Sequence, residues 1–281
     1  MRIARFSAPG TDPAYGIVEL AADGGQHPDT VSSLTGDPLA GPVNLTGERH
    51  PLDQVRLLAP VIPRSKIVGV GRNYAAHAAE LGNSVDENPL VFLKPNTSVI
   101  GPDDPIIKPP QTHDLQFEGE LAVVIGRICR LVPVDRAAEV IFGYTVANDV
   151  TARDLQKTDG QWTRAKGWDS FCPLGPWIVS HLSLEEAGAL SVTTTLDGEQ
   201  KQHGDTADMV HSIAQLIAYI TEFTTLLPGD VILTGTPAGV APMEPGQRVS
   251  VDISSIGSLS NPVVDSAQVQ GFGVQPSDAG Q

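Results

Sequence analysis

The chain has 281 residues, a net charge of −15, 41% hydrophobic residues, 28 glycines and 23 prolines. So acidic a balance argues against nucleic acid or an anionic membrane as partner, and no apolar run reaches the roughly 18 residues of a membrane span. The start, Met1-Arg2-Ile3-Ala4-Arg5-Phe6, has no apolar signal-peptide core, and the two cysteines, Cys129 and Cys172, fit neither a zinc site nor a disulfide framework. The expectation is a cytoplasmic globular protein with both thiols reduced and buried.

Arg2 to Phe6 alternates as a strand does, and Tyr15 to Leu20 can pair with it. The stretch from Asp23 to Pro51 is polar and reads as loop with little helix. Pro60 and Pro63 mark a boundary, which divides the chain into a small N-terminal domain (1–62), a main domain (63–265) and a tail (266–281). Ser65 to Val70 is a β-branched run that ends in the turn Gly69-Val70-Gly71-Arg72-Asn73-Tyr74. This is not a dinucleotide loop, because Tyr74 stands where a third glycine belongs. Asn73 is a candidate N-cap for a helix over Tyr74 to Leu81, with Gly82 as its stop. On that helix His77 and Glu80 share a face, as a general base and its orienting carboxylate would. By spacing alone an ordinary surface pair is the simpler reading.

Phe117-Glu118-Gly119-Glu120 leads into the apolar run Leu121 to Gly126, a strand. Residues i and i+2 on a strand point the same way, so Glu118 and Glu120 converge. Asp149 closes a second strand candidate, Phe142 to Asn148. Carboxylates gathered in a buried setting repel unless a positive charge separates them. A hard divalent cation, Mg²⁺, Mn²⁺ or Ca²⁺, suits such oxygen ligands better than Zn²⁺ does; edge protection is the plainer alternative.

Arg153 and Gln156 follow closely and could hold a substrate carboxylate, or could simply start a surface helix. Lys166 sits between Trp162 and Trp168, where it could balance a carboxylate or a developing enolate; a loop lysine is more often solvated. Met209, Ile213, Leu216, Ile217, Ile220 and Phe223 recur at helical spacing and predict one long helix over Asp208 to Phe223. Pro228-Gly229 then introduces the strand Val231-Ile232-Leu233 and the glycine loop Thr234-Gly235-Thr236-Pro237-Ala238-Gly239, which a β-turn would also explain. The tail from Asp265 has no sustained period.

Taken in order, Gly71-Arg72-Asn73-Tyr74-Ala75-Ala76-His77, Phe92-Leu93-Lys94-Pro95, Glu118-Gly119-Glu120-Leu121, Asn148 to Gln156, Ala165-Lys166-Gly167 and Leu233-Thr234-Gly235-Thr236-Pro237 resemble the fumarylacetoacetate hydrolase family. They are similar to its smaller members: acylpyruvases, oxaloacetate decarboxylases and hydroxyheptadienedioate isomerases. The resemblance implies a mostly β fold with some α, a mixed β-roll preceded by the small N-terminal domain. It implies Mg²⁺ or Mn²⁺ on Glu118, Glu120 and Asp149, with positions left for a 2-oxo acid or diacid. It also implies a lid carrying His77 and Glu80, an active-site Lys166, substrate contacts from Arg72, Arg153, Gln156 and Thr236, and a homodimer. Gln116 departs from the acidic residue or His that many members carry there.

The expected function is metal-dependent carbon–carbon cleavage of a 2-oxo or 2,4-dioxo acid, as in acylpyruvate hydrolysis or oxaloacetate decarboxylation. The alternatives are isomerisation of a 2-hydroxyhepta-2,4-diene-1,7-dioate type of substrate and non-enzymatic binding of a small diacid. Residues for the far end of the substrate are expected in the loop Asn83 to Asn88.

Overall fold

The computed structural model describes residues 1–21, 28–82 and 87–268. Strands dominate, in keeping with the glycine- and β-branched-rich sequence, and the main sheet is open at both ends rather than closed into a barrel. Its order is Leu45–Pro51, Thr30–Leu34, Ala14–Glu19, Arg2–Ser7, Cys172–Val179, Ile141–Asn148, Gly119–Ile125, Val231–Leu233, Ile67–Gly71 and Leu90–Lys94. A second sheet runs Glu199–Asp205, Ser191–Leu196, Arg248–Ile253, Gly257–Asp265 and Ile106–Lys108.

The centre of the main sheet is covered on both faces. All seven residues of Gly119–Ile125 and all eight of Cys172–Val179 are buried, which is why these strands read as apolar runs and not as alternating ones. The five α-helices among the described residues are short: α1 (Ala75–Glu80), α2 (Arg153–Thr158), α3 (Thr163–Lys166), α4 (Leu184–Ala187) and α5 (Ile213–Phe223). Helix α5 packs Ile213, Leu216, Ile217 and Ile220 into the largest core cluster.

The predicted first hairpin forms, with Ile3 opposite Ile17 and Arg5 opposite Tyr15. It does not stand apart: Arg2 and Ile3 pair with Val179 and Ile178, so the N-terminal strands extend the main sheet.

Three local expectations are corrected. The stretch expected as loop up to Pro51 contains the strands Thr30–Leu34 and Leu45–Pro51; the second is an edge whose side chains are mostly exposed, so it carries no apolar alternation. Helix α5 begins at Ile213, not Asp208, because Ser212 and Gln215 form a capping box there; Met209 instead bridges to Tyr74, and Val210 N–H donates to Asn73 C=O at 2.8 Å. Asn73 does not cap α1: Tyr74 occupies that position without a side-chain bond. Gly82 does end the helix, at φ +70°. Both cysteines are free and buried. Most of the tail, and Asn83 to Asp86 of the expected substrate loop, lie outside the described residues.

Candidate metal centre and active site

The acidic motif enters Gly119–Ile125 where that strand pairs with the end of Ile141–Asn148, Gly119 lying opposite Asn148. Asp149 N–H donates to Glu118 C=O at 2.8 Å, and Asn148 Oδ1 accepts Glu118 N–H at 3.0 Å. This registry brings carboxylate oxygens of Glu118, Glu120 and Asp149 within 4.8 Å of one another, all three residues buried. The convergence anticipated from i, i+2 spacing is therefore present.

Three buried cations surround the three acids. Lys166 Nζ, at the end of α3, donates to Glu118 Oε2 at 2.7 Å and to Asp149 Oδ2 at 2.6 Å. Lys94 Nζ donates to Asp149 Oδ1 at 2.5 Å. Arg153, at the start of α2, pairs with Glu118 Oε1 through Nη2. Glu120 has no ion pair among the described residues; its carboxylate accepts Gly235 N–H at 2.7 Å.

The electrostatics follow. Burial raises the Glu118 carboxyl's proton affinity, but Lys166 and Arg153 outweigh it and hold the group well below the usual carboxylate range. Burial, reinforced by Asp149 and Glu118, pushes Glu120 well above that range. Burial opposes charge on Lys166 too, but Asp149 and Glu118 raise its pKa and keep it an ammonium. The set is all oxygen, tightly gathered, and contains one carboxylate whose charge is unmet. Those properties fit a hard divalent cation held by Glu118, Glu120 and Asp149.

A cavity of about 470 Å³ opens onto the cluster. Every other site residue anticipated from sequence lines it together with Glu118 and Glu120: Arg72, His77, Glu80, Arg153, Gln156, Lys166 and Thr236. Asp149 lies behind this lining, between Lys94 and Lys166. His77 is buried, and its Nδ1 is 3.3 Å from Glu80 Oε2. Glu80 in turn accepts Gly239 N–H at 3.1 and 3.2 Å, so α1 is tied to the glycine loop. Gly239 is obligatory there: its φ is +103°, and a Cβ would sit 2.1 Å from Lys201 C=O.

Two expected substrate contacts are already engaged. The Arg153 guanidinium bonds Gln116 through Nε, Gln156 through Nη1 and Glu118 through Nη2. The Thr236 hydroxyl donates to Gly119 C=O at 2.7 Å. The same contacts show what sequence reasoning missed. Gln116, noted only as a departure, braces Arg153. Lys94, quoted only within a motif, is almost fully buried on Asp149; a lysine closing an apolar strand was its one signal. Asn73 bonds His211 C=O and Thr234 C=O and accepts His211 N–H, so it fastens the glycine turn to the strand that carries the Thr236 loop.

The family description "Fumarylacetoacetate (FAA) hydrolase C-terminal" matches residues 66–264. The chain belongs to the fumarylacetoacetate hydrolase family. A second description, "Rv2993c-like, N-terminal", matches residues 1–60. Among curated fumarylacetoacetate hydrolase relatives, Protein Rv2993c of Mycobacterium tuberculosis is 48% identical over 94% of this chain and 98% of its own. Oxaloacetate tautomerase YisK of Bacillus subtilis is 41% identical over 76% and 75%. A 5-carboxymethyl-2-hydroxymuconate delta-isomerase from Mycobacterium smegmatis superposes with a TM-score of 0.85 at 47% identity, covering 94% of this chain and 100% of that one. A maleylpyruvate hydrolase from Sphingobium sp. SYK-6, solved with manganese(II) and pyruvate, gives 0.76 at 30% identity, covering 94% and 99%. Fumarylacetoacetate hydrolase family members are thus enzymes of tautomerase, isomerase and hydrolase type, acting on small molecules.

Proposed function

We propose that this chain is a divalent-metal-dependent enzyme that moves a proton at the carbon beside the oxo group of a 2-oxo diacid, as in oxaloacetate tautomerisation or the shift of a double bond in a dienoic diacid. The observation that carries the reading is the cluster of Glu118, Glu120 and Asp149 on a cavity that His77 also lines. Mg²⁺ or Mn²⁺ held by the three carboxylates would supply Lewis acidity toward the 2-oxo group.

The chain's own residues supply the rest. Lys166, kept charged by Glu118 and Asp149, places a fixed positive charge beside the centre where negative charge develops. Gln156 gives its carbonyl oxygen to Arg153, which leaves its amide N–H groups for a substrate carboxylate. His77, oriented by Glu80, accepts or returns the proton. The charge balance favours a diacid. Among the residues that line the cavity Arg72, Arg153, Lys157 and Lys166 outnumber Glu80, Glu118 and Glu120, and a divalent ion would add to that positive excess, which a dianion cancels better than a monoanion does.

Carbon–carbon cleavage, placed first from the sequence, is the second reading. Buried His77, held by the exposed Glu80, suits activation of water as well as of a C–H proton, and one structural relative is named a hydrolase. By composition and family resemblance we take the protein to be a cytoplasmic homodimer, divided near residue 62. No helix among the described residues is long and apolar enough to cross a membrane.

The test is a panel run on chelator-stripped protein before and after Mg²⁺ or Mn²⁺ is restored. Metal-dependent loss of the enol absorbance of oxaloacetate, or a bond shift in a dienoic diacid, supports proton transfer. Pyruvate released from an acylpyruvate with neither of those supports cleavage. Turnover of none would leave only a diacid-binding protein.

A further inference from the structure

We infer that Gln202 is a positioning residue for the carboxylate cluster, acting through the peptide that joins Glu118 to Glu120. The inference rests on the metal-dependent reading above. Gln202 lies on Glu199–Asp205 of the second sheet, far from the acidic motif in sequence, and is completely buried. The register of that hairpin slips between Thr194 and Thr195, and the extra residue turns Gln202 inward. Its Oε1 accepts Gly119 N–H at 3.0 Å, and its Nε2 donates to Thr236 Oγ1 at 2.8 Å and to Pro237 C=O at 2.7 Å. The Thr236 hydroxyl in turn donates a hydrogen bond to Gly119 C=O. Both polar groups of Gly119 are therefore held by side chains.

The topology explains the need. On that edge of Gly119–Ile125 the neighbouring strand Val231–Leu233 reaches only Ala122 to Val124, with Thr234 N–H extending the ladder to Leu121 C=O. Two residues further, at Gly119, no backbone partner remains, and a buried unpaired peptide would be costly. Gln202 and Thr236 stand in for the missing strand. Gly119 makes room for the approach, because a Cβ there would lie 2.2 Å from Thr194 Oγ1. With Asn148 holding Glu118 N–H and Gly235 holding the Glu120 carboxylate, the backbone of the motif has little freedom to turn either acid away.

The experiment is Mn²⁺ titration of the stripped, full-length protein, followed by electron paramagnetic resonance of the bound ion. Gln202→Met keeps volume and removes all three bonds. It is expected to keep wild-type circular dichroism while binding Mn²⁺ about tenfold more weakly and broadening the bound-ion spectrum. Thr236→Val removes the linking hydroxyl and is expected to shift affinity in the same direction; it decides the matter alone if Gln202→Met does not fold. Mn²⁺ affinity within twofold of wild type, with an unchanged spectrum, overturns the inference even if thermal stability falls. A wild-type protein that binds no Mn²⁺ overturns the functional reading itself, which is a separate result.

Discussion

The strand Val231–Leu233 has a buried acidic site at each end, and the two are solved differently. At its entry Asp230, wholly buried, accepts Ser65 Oγ at 2.7 Å, Lys66 Nζ at 2.8 Å, Leu227 N–H at 2.9 Å and the backbone N–H groups of Ser65 and Lys66. Burial raises the proton affinity of Asp230, yet those donors outweigh it and leave the pKa below 3.8. At the exit the Gly235 loop meets Glu120, whose pKa burial and two neighbouring acids push up. One carboxylate has all the partners its charge requires and staples two strands. The other is left with charge unmet beside a cavity. Burial alone does not mark a functional acid; an unfinished complement of partners does.

Neutralising each acid should therefore have opposite effects. Glu120→Gln is expected to weaken Mn²⁺ binding by more than about 100-fold, since losing even a hydrogen-bond partner of a ligand costs roughly 10- to 100-fold. In metal-free protein the same change should raise the melting temperature, because it removes a repelled charge. A fall in melting temperature would show that Glu120 is as well satisfied as Asp230. Asp230→Asn is expected to cost about 3 kcal/mol in urea unfolding at pH 7 and to leave Mn²⁺ affinity unchanged. Because the folded pKa of Asp230 is depressed, its stabilisation is complete above about 3.8 and is lost as pH falls through the folded value. The gap between wild type and Asp230→Asn should thus close in unfolding experiments carried below pH 3.8; a gap that stays constant would mean that shape, not charge, holds the staple.

His77→Ala sharpens the contrast from inside the cavity. Turnover is expected to fall about 100-fold with Mn²⁺ affinity unaltered, the signature of a proton carrier and not a ligand. Equal losses in both would remove it from that role. The smallest effect is expected at Ser212→Ala, which breaks the α5 capping box away from both acids. About 1 kcal/mol of stability should be lost with catalysis intact, giving the cost of an ordinary local contact against which the others are read.

What could be read from sequence follows the same division. Strand periodicity placed Glu118 and Glu120 on one face, and the ordered motifs pointed to the family, because both signals are local. The partners of those acids were harder to see. Lys94 and Asp149 are 55 positions apart, Gly119 and Gln202 are 83, and nothing in a polar residue's neighbours says which distant peptide it will meet. Asn73 misled for a related reason: its side chain suits a helix cap, but bonds to His211 and Thr234 took it elsewhere. The edge strand Leu45–Pro51 was missed because an exposed edge carries no apolar alternation.

The pairing of Arg2 and Ile3 with Val179 and Ile178 bears on how this protein could be shortened. The first strand covers the Ile178–Val179 end of Cys172–Val179, whose opposite side carries the strand that ends at Asn148, next to Asp149. Trimming the leading sixty residues would bare the backbone edge at Ile178 and Val179, two strands from the one that the acidic motif enters, inviting chains to stack edge to edge. A minimal catalytic fragment would need some other shield sewn along that seam.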